Sequence, residues 1–231
     1  MKFFRFLFVF FYLINSSALM VSRGAFVKAA STYLTYSMLS SNPNNSDKVS
    51  LIENSNHNMD TPLTINYYGQ VTTESCMQLS QALKHLDKES KQHHLVYNHQ
   101  IPIKLHIQSL GGELMPSFYI CDLIRNLDTP VYTYVDGFAA SAASLIAVCG
   151  DKRFMTAHSS ILIHQLSASS AGKYNEMKDE FTNLSLFMEN LREIYLEKTR
   201  LKEEELDSLL KSDLWLPSEK ALTYGLVDEI L

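Results

Sequence analysis

A chain of 231 residues, of which 46% are hydrophobic and 19% charged, is long enough to bury one sizeable core. The formal net charge is −5 and the body holds no dense block of Lys and Arg, which argues against nucleic acid as a partner. The three cysteines are far apart and form no C-x-x-C motif, so we predict free core thiols and neither a zinc site nor a disulfide framework: Cys76, Cys121 and Cys149.

The N-terminal segment is predicted to be a leader that is not part of the fold. Residues 1–18 have a basic start and a short apolar run, Phe6 to Ile14, which cannot cross a bilayer and is typical of a secretory signal cut after Ala18. Residues 19–60 are rich in hydroxyl side chains and poor in acids, like a transit peptide, and end in a polar linker. Such two-part leaders resemble those of proteins sent to complex plastids; the secretory pathway and the mitochondrion are the alternative destinations.

The body, residues 61–231, alternates between strand-like and helical stretches. Strands are predicted over 63–71, 101–109 and 130–136 and as two short pieces within 153–165, and helices over 73–90, 114–127 and 142–149. The polar stretch 91–100, with its three histidines, is predicted to be a surface loop, with a metal site as the less favoured alternative. The alternation predicts an α/β domain with largely parallel strands.

The C-terminal third is predicted to be helical. A long amphipathic helix is indicated from Tyr174 to Thr199, because apolar residues there recur in steps of four and three. These residues are Met177, Phe181, Leu184, Met188, Leu191 and Tyr195. Shorter helices are predicted over 202–211 and 217–225, the second with Pro217 near its start and Gly225 as its C-terminal cap.

The stretch "GFAASAASLIAVCG", residues 137–150, places Ser141 where a strand ends and a helix begins. Backbone N–H groups at such a corner favour developing negative charge, and small neighbours let a substrate backbone come close. The same small residues would equally let helices pack, so Ser141 alone is ambiguous between a nucleophile and a packing residue. Ser144 lies one turn further along, where its hydroxyl is expected to bond back to a carbonyl, and it is predicted to have a packing role.

Other features can complete a nucleophilic site around this serine. His164 ends the apolar strand "SSILIHQ", where a lone histidine is either structural or catalytic. Asp213 precedes an apolar run, where it is either a local cap or a buried partner for a basic group. Gly111 and Gly112 follow a strand and either expose backbone N–H groups or form a plain turn. Ser141, His164 and Asp213 would together supply a nucleophile, a base and an orienting carboxylate, in that order.

Four segments resemble, in chain order, characteristic segments of ClpP, the family of proteolytic subunits of the ATP-dependent Clp protease: "LHIQSLGGEL", "GFAASAAS", "ILIHQ" and "SDLWLPSEKALTYGLVDEIL". The likeness runs from about Leu63 to Leu231, and the spacings between the segments agree with the family. It implies that Ser141 is the nucleophile, His164 the general base and Asp213 the residue that orients the base. The family's oxyanion hole would then be formed by the backbone N–H groups of Gly112 and Ala142.

The resemblance also implies an architecture and an assembly. The fold would be the crotonase-like ββα spiral, in which the long helix from Tyr174 is a protruding handle and residues 165–173 its adjoining strand. The protein would be a serine endopeptidase that hydrolyses unfolded proteins inside a barrel of two stacked seven-membered rings, built from itself or from related subunits. Because the chain has no Walker motif, ATP would be used by a Clp-type hexameric AAA+ ATPase as its partner, and this chain is expected to bind no cofactor or metal.

Several positions depart from the family pattern. The usual Ser-Pro-Gly-Gly is Ser-Leu-Gly-Gly at 109–112, Met-Gly after the nucleophile is Ala142-Ala143, His-Gln-Pro is His-Gln-Leu at 164–166, and residues 91–100 are extra. These departures leave the three triad residues in place. Two alternatives stay open, namely a non-catalytic ring subunit of a mixed barrel and a crotonase-type acyl-CoA enzyme that needs no such triad.

Overall fold

The computed structural model describes residues 49–51 and 63–231. The predicted signal segment 1–18 and most of the predicted leader and linker, 19–60, lie outside these residues. The strands are β1 Val49–Leu51, β2 Leu63–Tyr68, β3 Ile103–Ser109, β4 Val131–Ala140, β5 Lys152–Met155, β6 Ser160–Leu162, β7 Trp215–Pro217 and β8 Glu229–Ile230. The helices are α1 Thr73–Tyr97, α2 Leu114–Asn126, α3 Ala142–Val148, α4 Tyr174–Lys198, α5 Glu203–Leu210 and α6 Ser218–Thr223.

The eight described strands form one sheet in the order β1-β2-β3-β4-β5-β8, with β6 beside β4 and β7 beside β6. The pairs from β2 through β5 and on to β8 are all parallel, as is the pair of β4 with β6. Only β1 with β2 and β6 with β7 run antiparallel within this part of the chain. The predicted α/β class with largely parallel strands is confirmed, and it agrees with a ClpP-type fold.

The core lies between the sheet and the helices packed on it. In β3, Ile103, Leu105 and Ile107 are fully buried and alternate with partly exposed residues, which is the period of a strand with one face on a core. Helix α1 turns residues such as Leu79 and Leu83 toward this core at helical spacing. Helix α2 packs on both α1 and α3, so the short helix that follows Ser141 is enclosed on several sides.

Strand β4 is longer than predicted, and this matters for the site. Its first half, around residues 132–135, pairs with β5, and its second half, Phe138 to Ala140, pairs with β6. The sequence predicted that this strand ends at Asp136, directly before Gly137. Pairing with β6 carries the strand past this glycine, and β4 therefore delivers Ser141 directly to the start of α3.

The histidine-containing stretch 91–100 was predicted to be a loop, and this is wrong for residues 91–97. Helix α1 continues to Tyr97 and ends at Asn98, whose left-handed backbone (φ 52°) caps it with a hydrogen bond from its N–H to the His94 carbonyl. An ion pair of 2.7 Å between Lys91 and Asp87, one turn apart, supports the extra turns. The polar composition of this stretch suggested a loop, but an exposed face of a helix can have the same composition.

Residues 165–173 form no strand in the described chain, contrary to the strand expected beside the handle. A strand requires backbone hydrogen bonds to a neighbouring strand. The Gln165 N–H instead donates to the Leu210 carbonyl at the end of α5, 2.8 Å away. Three described residues before the predicted domain start at residue 61 also join the sheet. Strand β1 pairs with β2 from within the segment predicted to be a linker.

Helix α4 is packed over only part of its length, although the apolar stripe that predicted it runs from Met177 to Tyr195. Leu191 and Tyr195 in its C-terminal half are buried, whereas Phe181 is 71% exposed and Met177 is also exposed. The N-terminal half of the helix thus carries its apolar face into solvent in the isolated chain. No helix of the described residues combines the length and the apolar character needed to span a membrane.

Candidate active site

One cavity of about 280 Å³ brings together four of the five predicted site residues. Gly112, Ser141, Ala142 and His164 all line it, although they come from three separate segments of the chain. Asp213 is not part of the lining, and its carboxylate Oδ1 lies 3.7 Å from His164 Nδ1. Folding therefore gathers the hydroxyl, the imidazole, the carboxylate and the two amides into one neighbourhood.

A larger depression of about 490 Å³ lies elsewhere on the surface, but it has the character of a structural ion-pair site. Arg153 forms an ion pair of 2.6 Å with Asp228 there and also donates to the Lys198 carbonyl. No serine, cysteine or histidine lines this depression. Among residues 49–51 and 63–231, no group of three or more His, Cys, Asp or Glu side chains is placed to hold a metal ion.

The backbone of Ser141 is held in an unusual conformation between β4 and α3. Its φ of 55° and ψ of −127° lie in a region that serine rarely adopts, and such strain is typical of functional positions. The Ser141 N–H donates to the Leu162 carbonyl of β6 at 2.9 Å. Its own carbonyl accepts from both the N–H and the hydroxyl of Ser144, at 3.0 and 2.7 Å. The nucleophile candidate is therefore fixed by its backbone on both sides.

The glycine pair is a fitted backbone element, because side chains would not be tolerated there. Gly111 has a φ of +92°, and a Cβ on it would lie only 2.7 Å from the Cβ of Ser141. A Cβ on Gly112, whose φ is +150°, would collide with the Val71 carbonyl. Val71 also brackets the pair with backbone hydrogen bonds to the Gly111 carbonyl and from the Glu113 N–H.

Two backbone N–H groups remain available at this corner. Across the described part of the chain, neither the Gly112 amide nor the Ala142 amide donates a hydrogen bond to another protein group. Both residues line the same cavity as Ser141. Unpaired amides beside a hydroxyl form an arrangement that can stabilise an oxyanion.

The predicted base, His164, and its partner Asp213 are held less firmly than the backbone of Ser141. The 3.7 Å separation of His164 Nδ1 from Asp213 Oδ1 is an ion-pair distance and too long for a hydrogen bond. The side chain of Asp213 is 71% exposed and that of His164 is 26% exposed. In the described structure no hydrogen bond joins the Ser141 hydroxyl to His164. Catalytic hydrogen bonds are often long before substrate binds, so this geometry is compatible with a relay that has not closed.

The predicted back-bond of Ser144 to a carbonyl is confirmed, and the structure adds a partner that the sequence reading missed. The Tyr195 hydroxyl of α4 lies 2.6 Å from Ser144 Oγ, and both side chains are buried. Tyr195 was predicted only as part of an apolar stripe. The available signal was its hydroxyl, since a buried tyrosine requires a hydrogen-bond partner.

Glu113 is a second residue that the sequence reading missed. It follows the glycine pair, lines the cavity, and accepts hydrogen bonds from both the N–H and the hydroxyl of Thr73, at 3.0 and 2.6 Å. Glu113 thereby ties the glycine loop to the first turn of α1, where a carboxylate satisfies a free backbone donor. No motif announced this role, because the two residues are far apart in the sequence.

Comparison with known proteins agrees with this geometry. The family model described as Clp protease matches residues 51–231. Similar curated proteins include the ATP-dependent Clp protease proteolytic subunit 1 of Protochlamydia amoebophila, 33% identical over 134 residues, which are 56% of this chain and 65% of that protein. The subunit of the same name from Chlamydia caviae is 32% identical over 134 residues, 56% of this chain and 70% of that protein.

The ATP-dependent Clp protease proteolytic subunit of Deinococcus radiodurans is 32% identical over 136 residues, 58% of this chain and 67% of that protein. The aligned stretch thus spans about two thirds of the length of these relatives, and 65% in the Protochlamydia protein. The family match is the broader finding, since it covers most of the chain, including every residue of the cavity. The chain therefore belongs to the Clp protease family.

Proposed function

We propose that this chain is a serine endopeptidase subunit of an ATP-dependent Clp protease and that it cleaves unfolded proteins through an acyl-enzyme on Ser141. The observation that carries the proposal is the shared cavity, in which the strained Ser141 lies beside His164 and the two unpaired amides of Gly112 and Ala142. Membership of the family supports a peptidase in general, and the cavity supports these particular residues.

The chemistry follows from the roles that these groups can take. His164 accepts the proton of Ser141 while the hydroxyl oxygen attacks the scissile carbonyl carbon. The electron pair of the carbonyl becomes an oxyanion, which accepts hydrogen bonds from the Gly112 and Ala142 amides. His164 then donates its proton to the leaving amine, and a water molecule repeats the sequence to release the acyl group. Asp213 orients His164 and stabilises its protonated form.

The loose base side sets a condition on this mechanism. The 3.7 Å between His164 and Asp213 must shorten by under about 1 Å to become a hydrogen bond. The exposure of both side chains leaves room for such a movement. We propose that the site closes when a substrate backbone occupies the cavity or when neighbouring subunits assemble around it, because either event excludes water from the pair.

The proposed partners are further copies of this chain or related subunits, in stacked seven-membered rings, together with a Clp-type hexameric AAA+ ATPase that uses ATP. The exposed apolar residues of the first half of α4, including Tyr174, Met177 and Phe181, support contact with another subunit. The chain itself binds no cofactor in this proposal. Confinement within a barrel would keep an unspecific protease away from folded proteins.

A serine-reactive fluorophosphonate probe tests the proposed function. We expect the purified protein to be labelled once, with the modified peptide carrying the adduct on Ser141. Ser141→Ala should lose the label, whereas Ser167→Ala, which removes another serine of the same cavity, should retain it. Absence of labelling in the assembled wild-type protein would contradict the proposal.

The same experiment distinguishes the protease from its two rival functions. A crotonase-type acyl-CoA enzyme has no activated serine and would not react with the probe. A non-catalytic ring subunit would also remain unlabelled, yet a mixed barrel would need it for assembly. Peptidase activity in a preparation of this subunit alone, with a fluorogenic peptide as substrate, would favour the protease over both alternatives.

The plastid destination is a separate proposal that rests on the leader alone. A fluorescent protein fused to residues 1–60 should accumulate in the plastid if the two-part leader acts as proposed. Mitochondrial fluorescence or secretion into the medium would contradict it. The result has no bearing on the chemistry of the cavity.

A further inference from the structure

A buried chain of hydrogen bonds connects helix α4 to the Ser141 corner. The Tyr195 hydroxyl lies 2.6 Å from Ser144 Oγ, which in turn lies 2.7 Å from the carbonyl oxygen of Ser141. Ser144 is 0% exposed and Tyr195 is 1% exposed, so water does not compete for these contacts. Neither residue belongs to the proposed triad or the glycine pair.

The direction of the protons in this chain is determined by its last acceptor. A carbonyl oxygen can only accept, so the Ser144 hydroxyl must donate to Ser141. Having used its single proton, Ser144 Oγ can only accept from Tyr195, which therefore donates. Burial raises the pKa of Tyr195, which keeps this hydroxyl protonated at neutral pH. The chain thus runs from Tyr195 through Ser144 to Ser141.

The carbonyl of Ser141 and the N–H of Ala142 belong to the same planar peptide unit. Hydrogen bonds to the carbonyl oxygen therefore fix the plane in which the Ala142 N–H points. They also draw electron density toward that oxygen, which makes the N–H at the other end of the unit a stronger donor. The Ala142 N–H is one of the two unpaired amides of the cavity.

We propose that Tyr195 and Ser144 are positioning residues that orient and polarise the Ala142 amide as an oxyanion donor. This inference rests on the proposed function, since it assigns a purpose to the same cavity. Tyr195 also lines the cavity, but in this proposal its hydroxyl and that of Ser144 act through the Ser141–Ala142 peptide unit. Because Ser144 also contacts the strained Ser141 directly, its removal should have a larger effect than removal of the Tyr195 hydroxyl.

Loss of this positioning should affect the tetrahedral intermediate, which carries the oxyanion, more than the bound substrate. A donor aimed at the oxyanion stabilises the transition state more than the bound substrate, so kcat should fall while KM stays within about twofold. A peptide aldehyde reports the same state without turnover. The Ser141 oxygen bonds to the aldehyde carbon, the carbonyl electron pair becomes the oxyanion, and the hydroxyl proton passes to His164. Aldehyde affinity should therefore weaken in parallel with kcat.

The experiment compares Ser144→Ala, Tyr195→Phe, the double variant and a control, each as the full assembled protein. Tyr224→Phe is the matched control, because Tyr224 packs against the core but its hydroxyl makes no hydrogen bond within the described residues. We expect Ser144→Ala to lower kcat and aldehyde affinity by about 10-fold and Tyr195→Phe by roughly 3-fold, less than the loss of a whole donor. Tyr224→Phe should leave both unchanged.

The double variant makes the inference sharp. Once the Ser144 hydroxyl is absent, Tyr195 has no route to the peptide unit, so the double variant should match Ser144→Ala alone. A double variant whose loss of kcat equals the product of the two single losses would overturn the proposal. The proposal would also be overturned if Ser144→Ala kept its kcat and its aldehyde affinity within twofold of wild type. If Ser144→Ala does not fold, as judged by its melting temperature, Tyr195→Phe decides alone, since it removes a single oxygen atom.

The fluorophosphonate probe separates failure of this inference from failure of the proposed function. A wild-type protein that is labelled on Ser141, with variants that react as fast as wild type, would overturn the inference alone. A wild-type protein without labelling would overturn both. Slower labelling of Ser144→Ala and Tyr195→Phe, with Tyr224→Phe at the wild-type rate, supports both.

Discussion

The two sides of the cavity are built in different ways. On the donor side, the backbones of Ser141 and Gly112 are fixed by hydrogen bonds and close packing. On the base side, His164 and Asp213 are side chains at the surface, 3.7 Å apart and partly or largely exposed. In the proposed mechanism, the backbone donors are therefore fixed before substrate arrives, whereas the proton relay is left adjustable.

This difference has a physical basis. Backbone amides aimed at a developing charge help most when they need no rearrangement, so their positions are set by the fold itself. An exposed ion pair gains little, because water screens it and its side chains must be ordered. The pair becomes stronger only when water is excluded. Each prediction below either breaks one side of the cavity or tests whether the two sides differ as described.

The largest effect is expected from removing the nucleophile. Ser141→Ala should lower peptidase activity toward a fluorogenic peptide by at least about 10⁴-fold, because no other group can form the acyl-enzyme. Assembly, measured by light scattering, should be unchanged, since the Ser141 side chain makes no hydrogen bond in the described structure. Activity retained in a clean preparation would contradict the assignment of Ser141 as the nucleophile.

The next largest effect is expected from the donor side. Gly112→Ala should reduce kcat by about 10²- to 10³-fold, because the new Cβ meets the Val71 carbonyl and must displace one oxyanion donor. Gly172→Ala is the matched control, since its Cβ meets only the flexible end of Glu176. Equal activity of the two variants would show that the Gly112 amide has no role.

A smaller effect is expected from the base side. Asp213→Asn should lower kcat by about 10- to 10²-fold, less than the roughly 10⁴-fold known for a buried triad aspartate, because Asp213 is exposed. If the His164–Asp213 pair stays exposed during turnover, added salt should reduce the difference in kcat between wild type and Asp213→Asn. A loss as large as that of a buried aspartate would contradict this prediction and would mean that closure of the site buries Asp213 completely.

The smallest effect on catalysis is expected outside the cavity. Asp87 accepts from the Thr129 N–H at 3.0 Å and pairs with Lys91. Asp87→Asn should lower the free energy of unfolding by about 1–3 kcal/mol and leave kcat unchanged. A parallel fall in kcat would mean that any loss of stability disturbs the cavity. The effects of the other variants could then not be assigned to one side of the cavity.

The same variant has a defined pH dependence. Burial disfavours the charged form of Asp87, but the hydrogen bonds from Lys91 and Thr129 outweigh it and lower its pKa below the ordinary 3.8. A lowered pKa in the folded state gives stability that is present above the unfolded pKa and lost as the pH falls through the folded pKa. Denaturant titrations should show a wild-type advantage near pH 7 that shrinks below about pH 4.

The sequence predicted the local structure around Ser141, because its signals are local, while the oxyanion role of Gly112 and Ala142 stays a prediction. A serine between a strand and a helix, a glycine pair after a strand, and the back-bond of Ser144 are all set by neighbours in the chain. The Tyr195 contact could not be predicted in the same way. It depends on how α4 packs on α3, and the tyrosine fits an apolar stripe equally well as a simple core residue.

The remaining differences in the fold have the same cause. Strands β7 and β8 are too short to show a period, and they form because β6 and β5 supply ladders. The extra turns of α1 are largely exposed and begin with four polar residues, 91–94, which resembles a loop in composition. For residues 165–173 it was the family resemblance that implied a strand, and they remain irregular because no neighbouring strand pairs with them among the described residues. In each case long-range pairing decides what local patterns leave open.

The most direct test of the two-sided site is a crystal structure of the protein with a peptide boronate. Boron should be bonded to Ser141 Oγ, with one boronate oxygen about 2.7–3.1 Å from the amide nitrogens of both Gly112 and Ala142. The donor side should be unchanged, and the 3.7 Å between His164 and Asp213 should have shortened to a hydrogen bond. Boron on another residue, amides turned away from the oxygen, or a His164 ring facing a different compartment would contradict the account.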